Sequence, residues 1–476
     1  MGGEPAMNRG RVPAAIERAD VPVLIRCRAI VGTPRPADTL LLEFEDGKVG
    51  SGPVVARRVR VLAVGPAAEV AGHPAASRAH TLDLSGHVIL PGLVNAHTHL
   101  DLTHVGPRPC DHAAGFVGWI DMVRSARRID GEGIRASVRR GVGLSLAGGV
   151  VAVGDVAGAA GRPRLEPWEE LSAAPLAGVS YLEFFAIGTR QAQGLHAAEQ
   201  ALEQARSGAR GSVGVRLGLQ PHAPYTVSPA AYRWAMEQAS ARGLPLSTHL
   251  AESSEEHRLV SRGEGPLRQF LEDLGIWSEE LASVFGGGST PVAHVASAWE
   301  GAASPPALAV VHVNDASDRD VEILARLAEH RGLVVIYCPR ASAYFRHEER
   351  FGPHPYRTLL EAGVPVALGT DSVISLPAGS SEEGAGRIST LDEMRLLFRR
   401  DGTDPCLLLS MATTVAARAL GMSGAEFEFR AGASVRGVVA VEAGPAGSAS
   451  PAGDAVADVL RVDTPPRLLA IADGSG

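Results

Sequence analysis

The 476-residue sequence predicts an α/β fold: a (β/α)8 TIM barrel with a small β-sandwich domain formed from both chain ends. Three observations point to it. From Val88 onward, short apolar runs alternate with longer amphipathic stretches, the pattern of βα units around a parallel sheet. Eight such runs occur, at 93–100, 150–156, 178–187, 215–221, 244–250, 308–313, 333–338 and 364–370. Several of them end in or lead into side chains that bind metals or move protons, as the strand ends of such a barrel do.

Taken in order, residues 1–20 read as an N-terminal tail with charges but no apolar stretch of signal-peptide length. Residues 21–88 hold β-rich runs (Val21–Ile25, Leu40–Phe44, Val59–Val64) broken by Gly and Pro, the first part of the β-sandwich. Residues 89–424 carry the barrel, with helices expected at Ala192–Ser207, Pro229–Arg242, Asp318–Glu329 and Pro405–Leu420. The runs Leu308–Val311 and Leu333–Ile336 are apolar throughout and suit strands buried on both faces. Residues 425–476 return to β-like runs at Val435–Val441 and Val456–Val462, the second part of the sandwich. Between them Gly444–Gly453 reads as a flexible loop, and the Gly/Ser-rich segments Gly286–Pro306 and Pro377–Gly386 read as mobile barrel loops.

Composition narrows the partners. With 45% apolar residues the chain can bury a large core. A net charge of −8 without a basic block gives no reason to expect nucleic acid. No uninterrupted apolar run reaches membrane-spanning length. The four cysteines (Cys27, Cys110, Cys338, Cys406) are widely separated and lack zinc-finger spacing, so reduced thiols in a cytoplasmic protein are expected.

The site residues come from five strand ends. His97 and His99 lie two apart on the first strand, so both side chains point to one face. His249 closes the fifth strand and Asp371 follows the eighth. Three neutral imidazoles and one carboxylate make an N/O site for one divalent metal ion, zinc or else ferrous iron, with a position left for water.

These residues resemble the amidohydrolase superfamily, in its branch of cyclic deaminases and triazine hydrolases. The resemblance covers roughly 88–424. It implies that His97, His99, His249 and Asp371 are metal ligands and that Glu252, three after His249, shuttles protons. It also implies that His312 orients the attacking water and that His222, in Pro221-His222-Ala223-Pro224, contacts substrate. Many two-metal members bridge their ions with a barrel lysine. Lys48, the sole lysine, lies in the predicted β domain, which favours a single metal. Barrels of this branch often pair, so a homodimer is an assembly the resemblance allows.

Further segments are similar to the aminodeoxyfutalosine deaminases of menaquinone biosynthesis: Phe116-Val-Gly-Trp-Ile120, Arg124-Ser-Ala-Arg127, and Cys338-Pro-Arg340 followed by Tyr344-Phe345. This resemblance implies hydrolytic loss of ammonia from an adenine nucleoside bearing a carboxyphenyl group, whose carboxylate Arg340 would meet in a bidentate pair. The same metal site would also serve deaminases of adenosine, S-adenosylhomocysteine, guanine or cytosine, or a triazine chlorohydrolase. A scaffold of the same fold without activity, or a metal-storage protein, would not need Glu252 and His312 beside the ligands.

Overall fold

The β-rich runs of the two chain ends meet in one sheet. A computed structural model describes residues 21–44, 58–159, 162–208, 214–377, 386–443 and 452–469. Strands β1 (Val23–Ile30), β2 (Ala37–Phe44), β3 (Arg58–Gly65) and β4 (His80–Pro91) pair with β13 (Ser434–Arg436), β14 (Val438–Glu442) and β15 (Arg467–Leu468) in the order β13-β3-β2-β1-β4-β14-β15. Alternate residues such as Val23, Ile25, Leu40, Leu42, Val59 and Val61 fill the core of this domain, joined by Val435, Val438 and Ala440 from the far end of the chain.

The long strand β4 leads straight into the barrel through Pro91-Gly92. Glycine is required at position 92, because a Cβ there would lie 2.4 Å from the Arg436 carbonyl oxygen and from Val151 Cγ2. The barrel strands are β5 (Leu93–Thr98), β6 (Val150–Ala157), β7 (Ala177–Phe184), β8 (Val215–Pro221), β9 (Leu246–Leu250), β10 (Leu308–His312), β11 (Leu333–Tyr337) and β12 (Val366–Leu368). They pair as parallel neighbours in sequence order.

Closure between β12 and β5 is made at the site end. Thr370 and Asp371 donate their N–H groups to the His97 carbonyl at 3.0 and 3.1 Å. Asn95 donates to Thr370 Oγ1 at 2.8 Å and accepts the Thr370 N–H at 3.0 Å. The seam that closes the barrel therefore also fixes a candidate ligand from each of its two edges.

Several sequence expectations need correction. Val456–Val462, read as a strand, is the end of a helix, Ala452–Arg461. Ala455, Val456, Val459 and Leu460 are all buried, a spacing that suits a helical stripe rather than an alternating strand. The segment Gly286–Pro306 contains the helix Pro291–Ala298, capped by the Thr290 side chain and burying Val292 and Val295. Its Gly and Ser residues flank a packed element, so the mobile-loop reading fails there. The expected helix Pro405–Leu420 is two helices, Pro405–Met411 and Thr414–Ala419. The chain breaks at Ala412, whose carbonyl accepts the Val94 N–H at 2.8 Å.

The tail 1–20, Lys48, and most of the loops Pro377–Gly386 and Gly444–Gly453 lie outside the described residues. Among the described residues no helix is long and apolar enough to cross a membrane. All four cysteines are free.

Candidate active site

Strand β5 delivers His97 and, just past its end, His99, while β9 delivers His249. Their ring nitrogens lie within 4.8 Å of one another. Asp371 Oδ1 sits 3.4 Å from His99 Nε2 and 3.7 Å from His97 Nε2. His249 Nδ1 is 3.1 Å from the His222 carbonyl, so it holds the proton and leaves Nε2 as the free lone pair. His97 Nε2 is buried without any hydrogen-bond partner, and His99 Nε2 faces the Asp371 carboxylate. A buried orphaned imidazole nitrogen beside a carboxylate fits a divalent cation, because such an atom otherwise costs the desolvation of a lone pair.

The electrostatics agree with that donor set. Burial, then the neighbouring His97, holds His99 well below its usual range, and burial does the same to His249. Burial pushes the Asp371 carboxyl up, but His97, His99 and His312 outweigh it and hold the group below the usual carboxylate range. Burial thus favours the neutral imidazoles of His99 and His249, which face one carboxylate.

Glu252 and His312 stand on the same rim. His312 Nε2 is 3.6 Å from Glu252 Oε1. Burial lowers the His312 pKa to about 3, so the ring stays neutral. Burial, reinforced by Asp371, Glu256 and Glu255, raises the Glu252 pKa well above the usual carboxylate range, which favours the protonated form.

Strained backbone aims both groups. Among the described residues only five non-glycine residues have positive φ, and four lie here: Ala251 at 51°, His312 at 76°, Val313 at 53° and Asp371 at 57°. A β-branched residue in this region is costly and persists only where its surroundings hold it. Val313 donates its N–H to Leu250, Asp315 its own to Ala251, and Asn314 Nδ2 donates to the Glu252 carbonyl at 3.1 Å. The His354 Nε2–H donates to the His312 carbonyl at 2.7 Å.

Glu256 is a residue the sequence reading missed. Its two carboxylate oxygens accept the N–H groups of Ala251 and Glu252 at 2.8 and 2.9 Å, clamping the turn that carries Glu252. A carboxamide offers one acceptor for those two donors. Glu256→Gln should therefore lower stability by about 1–3 kcal/mol and reduce kcat while leaving bound metal unchanged. Thermal melting, metal analysis and steady-state kinetics on one preparation check this, and unaltered kcat would remove the clamp from the catalytic account.

His222 also joins the group, its ring 5.0 Å from that of His249. Arg340 does not. Its Nε donates to Glu393 Oε1 at 2.5 Å, its Nη2 donates to the Ser389 carbonyl at 3.1 Å, and Asp392 lies 3.8 Å from Nη1. The fully buried Glu393 holds this guanidinium in a structural pair, so the substrate-carboxylate role expected of Arg340 has no free donor fork behind it.

A cavity of about 120 Å³ opens beside Ser253, the neighbour of Glu252. Phe116, on the helix Gly115–Ala126, and Phe345 line it, with ring centroids 5.8 Å apart. Trp119 packs edge-on against Phe345 at 5.2 Å. The Phe116–Ile120 and Tyr344-Phe345 segments singled out in the sequence thus meet in one aromatic wall.

Residues 88–425 match the model of the amidohydrolase family. The chain belongs to that family. Among curated relatives, this amidohydrolase is 33% identical over 332 residues to an aminodeoxyfutalosine deaminase of Deinococcus radiodurans, covering 66% of this chain and 72% of the relative. It is 28% identical over 409 residues to a 5-methylthioadenosine/S-adenosylhomocysteine deaminase of Syntrophobacter fumaroxidans, covering 81% of this chain and 78% of that one. Among solved structures, Helicobacter pylori aminofutalosine deaminase in complex with methylthio-coformycin superposes with a TM-score of 0.71 at 17% identity, over 94% of this chain and 98% of that one. That last likeness is one of fold.

Proposed function

We propose that this amidohydrolase is a metal-dependent hydrolytic deaminase that replaces a ring C–NH2 by C=O and releases ammonia. Its substrate is an adenine nucleoside, aminodeoxyfutalosine in menaquinone biosynthesis. The observation that carries the reading is the buried Glu252 carboxyl and the buried His312 imidazole, 3.6 Å apart on the rim of the His97/His99/His249/Asp371 group. Ligands alone would serve storage, whereas a proton-holding acid beside them serves chemistry.

His97, His99, His249 and Asp371 would hold the cation, and zinc suits this donor set. Such an ion acts as a Lewis acid and makes a nucleophile of water at neutral pH. The chain's own residues do the rest. Asp371, ionised by its imidazole neighbours, accepts the proton of the attacking water. His312 Nε2 orients that water toward the amidine carbon. Glu252 gives its proton to the adjacent ring nitrogen as the carbon becomes tetrahedral. The proton taken from water then passes to the amine, which leaves as ammonia, and the hydroxyl proton released as the carbonyl forms returns to the Glu252 carboxylate. The buried carboxyl is suited to the first donation because burial favours its protonated form.

The identity to the Deinococcus deaminase supports aminodeoxyfutalosine. The aromatic wall of Phe116, Trp119 and Phe345 supports a nucleoside with an apolar or aromatic substituent. A second reading, 5-methylthioadenosine or S-adenosylhomocysteine deamination, is favoured by the Syntrophobacter relative and differs only in that substituent. Ammonia release from aminodeoxyfutalosine, 5-methylthioadenosine, S-adenosylhomocysteine and adenosine decides between them. The expected result is the highest kcat/KM on aminodeoxyfutalosine. Equal or higher values on the sulfur nucleosides would transfer the assignment to the second reading, and no ammonia from any of the four would overturn the deaminase.

A further inference from the structure

Both nitrogens of His354 are spent on main-chain groups, and one of those groups belongs to His312. His354 is 5% exposed and stands between the helices His347–Phe351 and Tyr356–Glu361. Its Nδ1 accepts the Tyr356 N–H at 3.0 Å, so the ring proton is on Nε2, which donates to the His312 carbonyl at 2.7 Å. The ring lies flat on Tyr337, at the end of β11, with centroids 3.6 Å apart and planes 15° from parallel. The Tyr337 hydroxyl accepts from Arg400 Nη2 at 3.2 Å, which fixes the ring beneath. The β10–β11 pairing stops at Val311 and Ile336, one residue short of His312. Beyond that point the imidazole of His354 meets the His312 carbonyl, as the next rung of the sheet would.

Resting on the deaminase reading, in which His312 orients the attacking water, we propose that His354 is a positioning residue that acts through the His312 backbone. It holds the His312–Val313 peptide in its left-handed turn and so keeps the His312 ring aimed at the reaction centre. Two successive non-glycine residues at φ 76° and 53° are strained, and they stay so only when their surroundings hold them. From the β9 side, Leu250 accepts the Val313 N–H and Ala251 accepts the Asp315 N–H. His354 supplies the hold from the β11 side. Without it the peptide can relax. The His312 ring, 3.6 Å from Glu252 Oε1 and stacked at 5.4 Å on His249, would then turn with it. A role in packing alone does not account for this residue. A phenyl ring would fill the same stack without two polar atoms to bury, whereas each nitrogen here is matched to one directional partner.

The test compares His354→Asn with His354→Gln in the metal-loaded enzyme, on whichever of the four nucleosides the wild type deaminates fastest. Both variants lose the stack on Tyr337, so a packing role would move them alike. Asparagine can still accept the Tyr356 N–H two residues on, but it is too short to reach His312. Glutamine carries an N–H about as far out as the imidazole Nε2. His354→Asn should lose about 10–100-fold in kcat, the scale of a small misplacement at the reacting centre, with KM and metal per chain unaltered. His354→Gln should recover most of that loss. In a His312→Gln background, His354→Asn should cost nothing further, because the ring it positions is gone. Should His354→Asn fail to fold, His354→Phe keeps the stack, lacks the donor and is expected to show the same loss. In protein carrying isotope-labelled histidine, the His312 ring resonances are assigned by their absence from His312→Gln. They need no turnover, and they should shift in His354→Asn but not in His354→Gln. Wild-type kcat in His354→Asn, equal losses in both variants, or a full additional loss without the His312 ring overturns the positioning role and leaves the deaminase standing. If the wild type releases ammonia from none of the nucleosides, the deaminase reading fails and the resonances decide alone. A shift confined to His354→Asn then supports the positioning role, and unmoved resonances overturn it as well.

Discussion

Glu252→Gln should fold, bind metal as the wild type does, and lose about 10²–10⁴-fold in kcat, the share general acid–base catalysis usually supplies. The substitution keeps the shape of the side chain and removes only its ability to give and take a proton. Metal content should hold because Glu252 lies outside the His97/His99/His249 group. The backbone should hold because Glu256 and Asn314 grip the Glu252 main chain, not its carboxyl. The pH profile supplies a second reading of the same residue. Burial raises the folded pKa of Glu252 above its unfolded value, so the working acid is present at low pH and is lost as pH rises through the raised value. The wild type should therefore lose kcat on an alkaline limb that the variant lacks. A Glu252→Gln enzyme with wild-type kcat, or with the same alkaline limb, would take the proton shuttle away from this residue.

Much of this site was legible in the sequence because its parts sit at strand ends. His97 and His99 read as a pair because a strand repeats every two residues, and His249, His312 and Asp371 each close or follow an apolar run. What the sequence hid are contacts between distant segments. His354 carries no motif, and only the fold sets it against the His312 carbonyl. The partner of Arg340 was hidden for the same reason: Glu393 lies 53 positions further on. Glu256 stood in plain view one helical turn after Glu252, but a glutamate near a helix start is usually a solvated charge. Only its burial and its two N–H partners reveal the clamp. The Val456 segment failed differently, because a short run of Ala, Val and Leu fits a strand or a helical stripe and tertiary packing chose the helix.

Stripping the divalent metal should abolish turnover and also weaken the fold. The three imidazoles and Asp371 are buried together, with His97 Nε2 lacking any partner inside the protein and His99 Nε2 held against Asp371. Burying such groups costs free energy that only a ligand at the orphaned nitrogen returns. Binding of a cation to the folded state alone adds about 2.7 kcal/mol at a hundredfold excess over Kd. Chelated protein should therefore melt lower than the loaded form, regain its midpoint on stoichiometric zinc, and recover activity in step with metal content. His249→Ala removes one ligand at the end of β9 and should show the low midpoint and the lost turnover together, with zinc restoring neither. Asp371→Asn separates the two roles of that residue. Its backbone bonds across the barrel seam remain, so it should fold, while its poorer ligand and lost proton acceptor should depress kcat far more than the melting midpoint. Full activity in metal-free protein would remove this cluster from the reaction. A midpoint indifferent to metal would mean that the orphaned nitrogen is satisfied some other way, and that the site was shaped without a cation in it.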